Sequence, residues 1–282
     1  MKILTFDIEE WFHILDNDST KTVEEWSNYE TRIHSNVDKI FNLLAKSNLK
    51  ATFFVVGWIA EKYPEVLNKI DKLGYEIGSH TNMHQLMYEQ KRNEVQQDLK
   101  RSIDIIQSII GKKVTAFRAP GFSITEKNKW AFEVLAENGI THDSSVFPAG
   151  RAHGGFPSFS KAKPSIIKIN GYELKEFPIN TVPILGKKWI YSGGGYFRVT
   201  PYAFIKKWSN SSDYIMTYFH PRDFDKDQPM IEGLSRIRRF KSYYGLGNCM
   251  NKLERWTSEF SFVDLRNADQ MIDWAKAPLV EL

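Results

Sequence analysis

The chain has a single cysteine, Cys249, in 282 residues. An intramolecular disulfide framework is therefore excluded, and the composition suits a reducing compartment. No run of about 18 apolar residues is present to form a membrane-spanning helix. The N-terminus also lacks the basic, then apolar, then small-residue order of a secretory leader. These absences lead to the expectation of a cytoplasmic protein. The formal net charge is only +4, with most basic residues scattered among acids, so nucleic acid is not an expected partner. No fixed-period repeat or low-complexity tract occurs. The glycine cluster "GGGYF" lacks both the GxGxxG spacing and the GK[ST] ending of phosphate loops. It reads instead as close backbone packing or a turn lining a site.

Against these absences, 42% of the residues are hydrophobic and 26% charged, enough to bury the core of one large α/β domain. Helix, polar turn and short apolar strand recur in series. "VDKIFNLLAKSNLKATFFVVG" leads into a strand at 51–56, "EVLNKIDKLGYEIGSH" into 75–78, and "KWAFEVLAENGITHDSS" into 140–143. Val37, Ile40, Phe41 and Leu44 recur at helical spacing, as do Val95, Leu99, Ile103 and Ile106. Such units argue for a mainly parallel sheet or a barrel. From about residue 165 the chain turns β-rich, with an Asn-Gly hairpin signal at 170–171. A polar helical segment is expected around 235–258, then a strand in "FSFVDL" and a helix in "ADQMIDWA". The densest basic stretch, Arg236 to Lys241, is a solvated helix face or a contact for an anionic carrier or membrane surface.

Several chemically capable residues fall at predicted strand ends. The first strand ends in Asp7, Glu9 and Glu10, carboxylates that repel one another unless something holds them. His80 and His84 stand four apart in "GSHTNMHQL"; if that segment turns into helix, both imidazoles share one face and can share a metal ion. Arg118 in "AFRAPGFS" can clamp a carboxylate, and Asp143 and His220 end two further strands. In a barrel all these ends converge on one face, and the resulting set reads as metal-assisted hydrolysis.

Five motifs in order, "TFDIEE", "SHTNMH", "RAPGF", "DSSVFP" and "YFHP", resemble the polysaccharide deacetylases of carbohydrate esterase family 4, the nodulation-type chitooligosaccharide deacetylase group. The likeness spans about residues 2 to 265 and extends to a branch with a C-terminal extension linked to exopolysaccharide or surface-glycan synthesis. It implies a distorted (β/α) barrel of about seven parallel strands with a β-rich insertion. It also implies one catalytic domain over 1–282, with a core to about 225 and an extension over about 226–282.

By the same resemblance Asp7 is the general base, His80 and His84 are metal ligands, and Arg118 orients Asp7. His220 is the general acid and Asp143 holds its tautomer. A backbone N–H near Gly121 and Phe122 supports the oxyanion. Trp11, Pro120, Gly121, Phe122 and Tyr196 are the substrate-binding candidates, with Trp58 and Trp189 further aromatic candidates for a sugar groove. The family's adjacent aspartates are replaced here by Asp7-Ile8-Glu9-Glu10. Period-two alternation puts Glu9 on the face of Asp7, so Glu9 is the expected carboxylate ligand, with Glu10 in reserve. Histidine and carboxylate ligands suit zinc, and cobalt, manganese or iron are compatible by ligand type. The expected partner is an N-acetylated glycan, polymeric or lipid-linked at a membrane surface; oligomeric state is not legible. Two alternatives are a glycoside hydrolase using paired carboxylates and a catalytically silent glycan-binding protein on the same fold.

Overall fold

The apolar runs read as strands are buried on both faces, as strands of a parallel sheet covered by helices should be. The computed structural model of the chain describes residues 1–15, 17–20, 22–151, 153–159, 161–184 and 186–282. The chain begins with β1 (Lys2–Ile3) and β2 (Thr5–Ile8), followed by α1 (Val23–Trp26) and α2 (Ile33–Lys46). Then come β3 (Thr52–Val55), α3 (Gly57–Lys62), α4 (Pro64–Lys72), β4 (Glu76–Ser79), α5 (Arg92–Ile110), β5 (Ala116–Phe117), α6 (Trp130–Glu137) and β6 (His142–Asp143). The second half holds β7 (Ser165–Ile169), β8 (Tyr172–Glu176), β9 (Val182–Ile184), β10 (Lys187–Trp189), α7 (Gly194–Val199), α8 (Tyr202–Ser211) and β11 (Ile215–Met216). It ends with α9 (Arg236–Tyr243), α10 (Cys249–Glu259), α11 (Leu265–Met271) and β12 (Leu279–Glu281).

Strands β2, β3, β4, β5, β6 and β8 lie side by side in parallel. On the other side β1 pairs in parallel with β11, and Phe6 bridges Phe219. Counting β1 and β2 as one, the chain forms a distorted (β/α) barrel with seven parallel strand positions. Among the described residues no strand pairing between β8 and β11 closes the ring. Side chains span the gap: Met216 N donates to Asn180 Oδ1 at 3.1 Å and Tyr214 Oη to the carbonyl of Pro178 at 2.8 Å.

The Asn-Gly signal is a tight hairpin joining antiparallel β7 and β8, with Asn170 and Gly171 both at positive φ (45° and 84°). The expected helix over 235–258 is two helices, because Gly245 at φ 76° ends the first path. The strand expected in "FSFVDL" reduces to one bridge, Val263 to Ile3, and the last strand is instead β12, which pairs with β7. Two of the quoted strands are shorter than expected, at Thr52–Val55 and His142–Asp143, and the third keeps its four residues one position later, at Glu76–Ser79. "GGGYF" serves close packing: a Cβ on Gly193 would lie 2.0 Å from the carbonyl oxygen of Tyr218.

The last quarter of the chain closes the floor of the barrel. The amides of Leu265 and Arg266 at the start of α11 donate to Thr52 Oγ1 (2.8 Å) and Glu76 Oε2 (2.9 Å), at the N-terminal ends of two barrel strands. Trp256 of α10 is fully buried against Phe197 and Phe262, with its Nε1 donating to Ser209 Oγ at 2.8 Å. Trp256→Ala should therefore cost about 3–5 kcal/mol. In urea the variant should still unfold in one transition, at lower midpoint; a separate early phase would show that α10 folds independently of the barrel.

Candidate metal and catalytic site

Strand alternation decides where the opening carboxylates go. Asp7 points into the barrel from β2, and Glu9, two residues on, follows on the same face at the rim; both are buried. Arg118, just beyond β5, reaches across to them and is itself completely buried. Its Nη1 donates to Asp7 Oδ1 at 2.7 Å and Thr5 Oγ1 at 2.8 Å, its Nε to the carbonyl of Ser144 at 3.2 Å, and its Nη2 to that of Thr217 at 3.3 Å. The guanidinium lies over the Phe54 ring, 4.4 Å from its centre.

The carbonyl of the same arginine sets the first imidazole. His80 Nδ1 is 2.6 Å from Arg118 O, so Nδ1 carries the proton and Nε2 keeps a free lone pair. Burial lowers the pKa of His80 to about 4, outweighing the pull of Asp7, and the ring stays neutral at physiological pH.

His84 does not arrive on a helix. Residues 80–86 form a loop in which Thr81 (φ 64°) and His84 (φ 52°) take the left-handed conformation. Asp98 of α5 holds this loop by accepting from the amides of Asn82 (2.8 Å) and Met83 (3.1 Å). The amides of Gly57 and Trp58 bind the carbonyls of Thr81 and Asn82, so the backbone is engaged outside a helical ladder. The two rings still meet, with centres 5.1 Å apart.

One ligand atom each from Glu9, His80 and His84 lies within 4.8 Å of the others, the one such cluster among the described residues. Glu9 Oε2 is 2.5 Å from His84 Nε2, yet it is buried without a hydrogen bond. A carboxylate oxygen pressed on an imidazole nitrogen in this way is an arrangement that a divalent cation relieves, and the two-histidine, one-carboxylate donor set fits such an ion. Burial alone would raise the pKa of Glu9, but His84, His220 and His80 together hold it below the ordinary carboxylate range.

Glu10 turns the other way. Its carboxylate accepts from Thr31 Oγ1 (2.5 Å) and from the amides of Arg32 (2.9 Å) and Ile33 (3.0 Å), capping the start of α2. The reserve ligand is thereby removed from the site.

His220 follows Phe219, whose bridge to Phe6 holds it against β2. Its Nε2 is 3.8 Å from both Asp7 Oδ2 and Glu9 Oε1. Its Nδ1 is 3.0 Å from Oδ2 of Asp223, not of Asp143. The tautomer-holding role given to Asp143 is thus corrected: residues 220–224 make a single turn that brings the i+3 carboxylate back onto the ring. Asp143 is buried elsewhere, accepting from Ser145 Oγ at 2.6 Å and facing Glu176; burial, and then the neighbouring Asp143 carboxylate, push the pKa of Glu176 well up. Burial alone would lower the pKa of His220, but Glu9, Asp223 and Asp7 raise it to about 9. Asp223 sits at about 2, because its bonds to His220 and Arg198 outweigh its burial.

Arg198 was not singled out by sequence reasoning, and neither was Asp223. Arg198 Nε is 3.0 Å from Asp223 Oδ1, and its other nitrogens donate to the carbonyls of Lys241 (2.9 Å), Ser242 (3.1 Å) and Tyr244 (2.8 Å). The signal for Asp223 is the H-x-x-D spacing in "YFHPRDFD". His13 was missed as well. It is buried with both ring nitrogens unpartnered, stacks on His84 at 5.7 Å, and lines with it a cavity of about 270 Å³.

The substrate-binding candidates divide. Trp11 is core: it packs on Phe12 and Tyr29 and donates through Nε1 to Glu30 O at 2.9 Å. Trp58 packs edge-on against Phe12 and Trp26. Pro120, Gly121 and Phe122 form a single turn beside Arg118, but the Phe122 amide is engaged by the carbonyl of Ala119 at 3.1 Å and is not a free oxyanion donor. Tyr196 is half-buried and meets the exposed Trp189 edge-on at 5.7 Å.

Residues 4–141 match the family described as polysaccharide deacetylase, and residues 144–270 the one described as a domain of unknown function (DUF3473). The chain is 33% identical over 96 residues to a peptidoglycan-N-acetylglucosamine deacetylase of Bacillus cereus, covering 34% of this chain and 35% of the relative. It is 26% identical over 110 residues to a peptidoglycan deacetylase of Helicobacter pylori, covering 39% and 36%. The chain thus spans about a third of the length of these curated relatives. Among solved structures, a candidate polysaccharide deacetylase of Mycobacterium smegmatis superposes with TM-score 0.67 at 17% identity, over 99% of this chain and 92% of that one. A family 4 carbohydrate esterase of Streptomyces lividans, solved in complex with acetate, gives 0.50 at 12% identity over 93% and 90%. At these identities the likeness is one of fold.

The two glutamates should separate in a metal-binding assay. Glu9→Gln should weaken zinc binding by at least about tenfold, since it removes a ligand charge. Glu10→Gln should bind as the parent does but lose roughly 1–2 kcal/mol of stability from the cap. Calorimetric titration with zinc and urea unfolding check both, and the reverse pattern would exchange the two assignments.

Proposed function

We propose, from the match of residues 4–141 to the polysaccharide deacetylase family, that the chain hydrolyses the N-acetyl group of an N-acetylhexosamine in a glycan. Glu9, His80 and His84 would hold the divalent ion, which we take to be zinc from the ligand types. Such an ion supplies electrophilic polarisation of the acetamide carbonyl when bound.

The observation that carries the reading is the pair at the mouth of the barrel. A carboxylate oxygen, Asp7 Oδ2, and the nitrogen of a histidine held protonated, His220 Nε2, lie 3.8 Å apart beside the ligand cluster. Asp7 is fixed through its other oxygen by Arg118, so Oδ2 is the oxygen left to take a proton from the attacking water. The water oxygen adds to the carbonyl carbon. As the C–N bond breaks, its electron pair goes to the sugar nitrogen, which takes the proton of His220 Nε2. Asp223 stabilises the imidazolium until that step and keeps Nδ1 protonated afterwards. Acetic acid gives up its carboxyl proton to solvent and leaves as acetate, the amino sugar departs, and the proton held by Asp7 returns to His220 Nε2, 3.8 Å away, so both groups are restored.

Three measurements test this. Acetate release from N-acetylglucosamine oligosaccharides should vanish on chelation and return with zinc; chelator-insensitive turnover would end the proposal. Asp7→Asn should keep the metal yet lose about 10²–10⁴-fold in kcat, and near-parental turnover would remove Asp7 as base. His220 is raised in pKa, so its acid form is present below about pH 9 and is lost as pH rises through it. Asp223→Asn should therefore move the alkaline limb of the rate profile down by about one unit; an unmoved limb would assign it to another group.

A further inference from the structure

We propose that α9 is an interfacial docking helix that seats the mouth of the barrel on an anionic lipid bilayer. None of its residues is buried. Ile237, Phe240 and Tyr244 are 71%, 54% and 52% exposed, and Met230 lies just upstream at 56%. These are four of the ten exposed large hydrophobics among the described residues, gathered within fifteen positions. At 100° per residue, 237, 240 and 244 share a sector of about 60°, and the Phe240 and Tyr244 rings touch with centres 4.7 Å apart. Arg236 and Lys241 fall on the two sides of that stripe, about 40° beyond its edges. An apolar stripe flanked by cations is the pattern that lies in the plane of a membrane interface.

The opposite face is anchored to the protein. Arg238 donates to the carbonyl of Leu15 and lies 3.4 Å from His153 Nε2. Leu15 lines the cavity shared with His13 and His84. Arg198 holds the carbonyls at the far end of the helix. The outward stripe is thus carried at the rim of the site.

Charge selects the occupant. Between Glu232 and Glu254 the sequence has no acidic residue, while Arg236, Arg238, Arg239 and Lys241 all fall within α9. A second copy placed on this face would set cation against cation, whereas an anionic leaflet offers the complementary charge together with an apolar phase for the stripe. The inference does not depend on the reaction proposed above, because its readout is binding.

The full chain should sediment with phosphatidylcholine vesicles containing roughly one third phosphatidylglycerol, and not with phosphatidylcholine alone. Raising salt to about 1 M should release most of it, the screening length then being about 3 Å. Arg236→Ala and Lys241→Ala should each weaken binding about fivefold. Ile237→Ser with Phe240→Ser should abolish binding without changing the far-ultraviolet circular dichroism, since both side chains face solvent. Absence of vesicle binding, equal binding to neutral vesicles, or binding unaffected by the double serine variant would overturn the proposal. So would light scattering that shows a dimer in the parent and a monomer in that variant.

Discussion

A guanidinium without access to water is the constraint on which the site depends. Buried N–H donors must be partnered from within, so the strands around Arg118 supply its partners: Thr5 and Asp7 from β2, Ser144 beyond β6, and Thr217 beside β11. Deleting one partner of such a buried pair costs about 3–5 kcal/mol, which is a large part of the stability of an ordinary domain. The same residue orients His80 through its carbonyl. The carboxylate assigned to proton transfer and the first imidazole assigned to the metal are thus placed by two ends of one amino acid, and the spacing between them is as rigid as its backbone.

Two neighbouring glutamates acquire opposite roles from where a strand stops. Alternation carries Glu9 to the face of Asp7, and beyond it the chain meets the start of α2, whose unpaired amides capture Glu10. Neither carboxylate is left for solvent. The repulsion expected of clustered acids is answered by imidazoles on one side and a helix terminus on the other.

The barrel was legible because its strands are short, apolar and regularly preceded by amphipathic helices, and the positions of Asp7, Glu9, His80, Arg118 and His220 at strand ends followed from that. What escaped was the local path of loops. His80 and His84 meet through two left-handed residues, a geometry that spacing alone reads as a helical turn. Asp143 and Asp223 both lie near strand ends, and only the turn at 220–224 decides which reaches His220. Arg198 is distant in sequence from everything it holds, so no periodic signal could mark it. Pairing of β12 with β7 is likewise long-range and set by tertiary contact.

The seam between Phe177–Asn180 and Tyr214–Met216 gives the barrel one joint of a different kind. Every other junction in the ring has backbone partners in register, where a shift of one residue would reverse the facing of a whole strand. Here the two walls meet through an asparagine amide and a tyrosine hydroxyl. The segment between them carries β9, β10, α7 and α8, and its own backbone hold on the ring is the bridge of Gly193 to Tyr218. A fold jointed in this way can widen or narrow its groove along one side while the opposite side, where the acids and histidines stand, keeps its spacing.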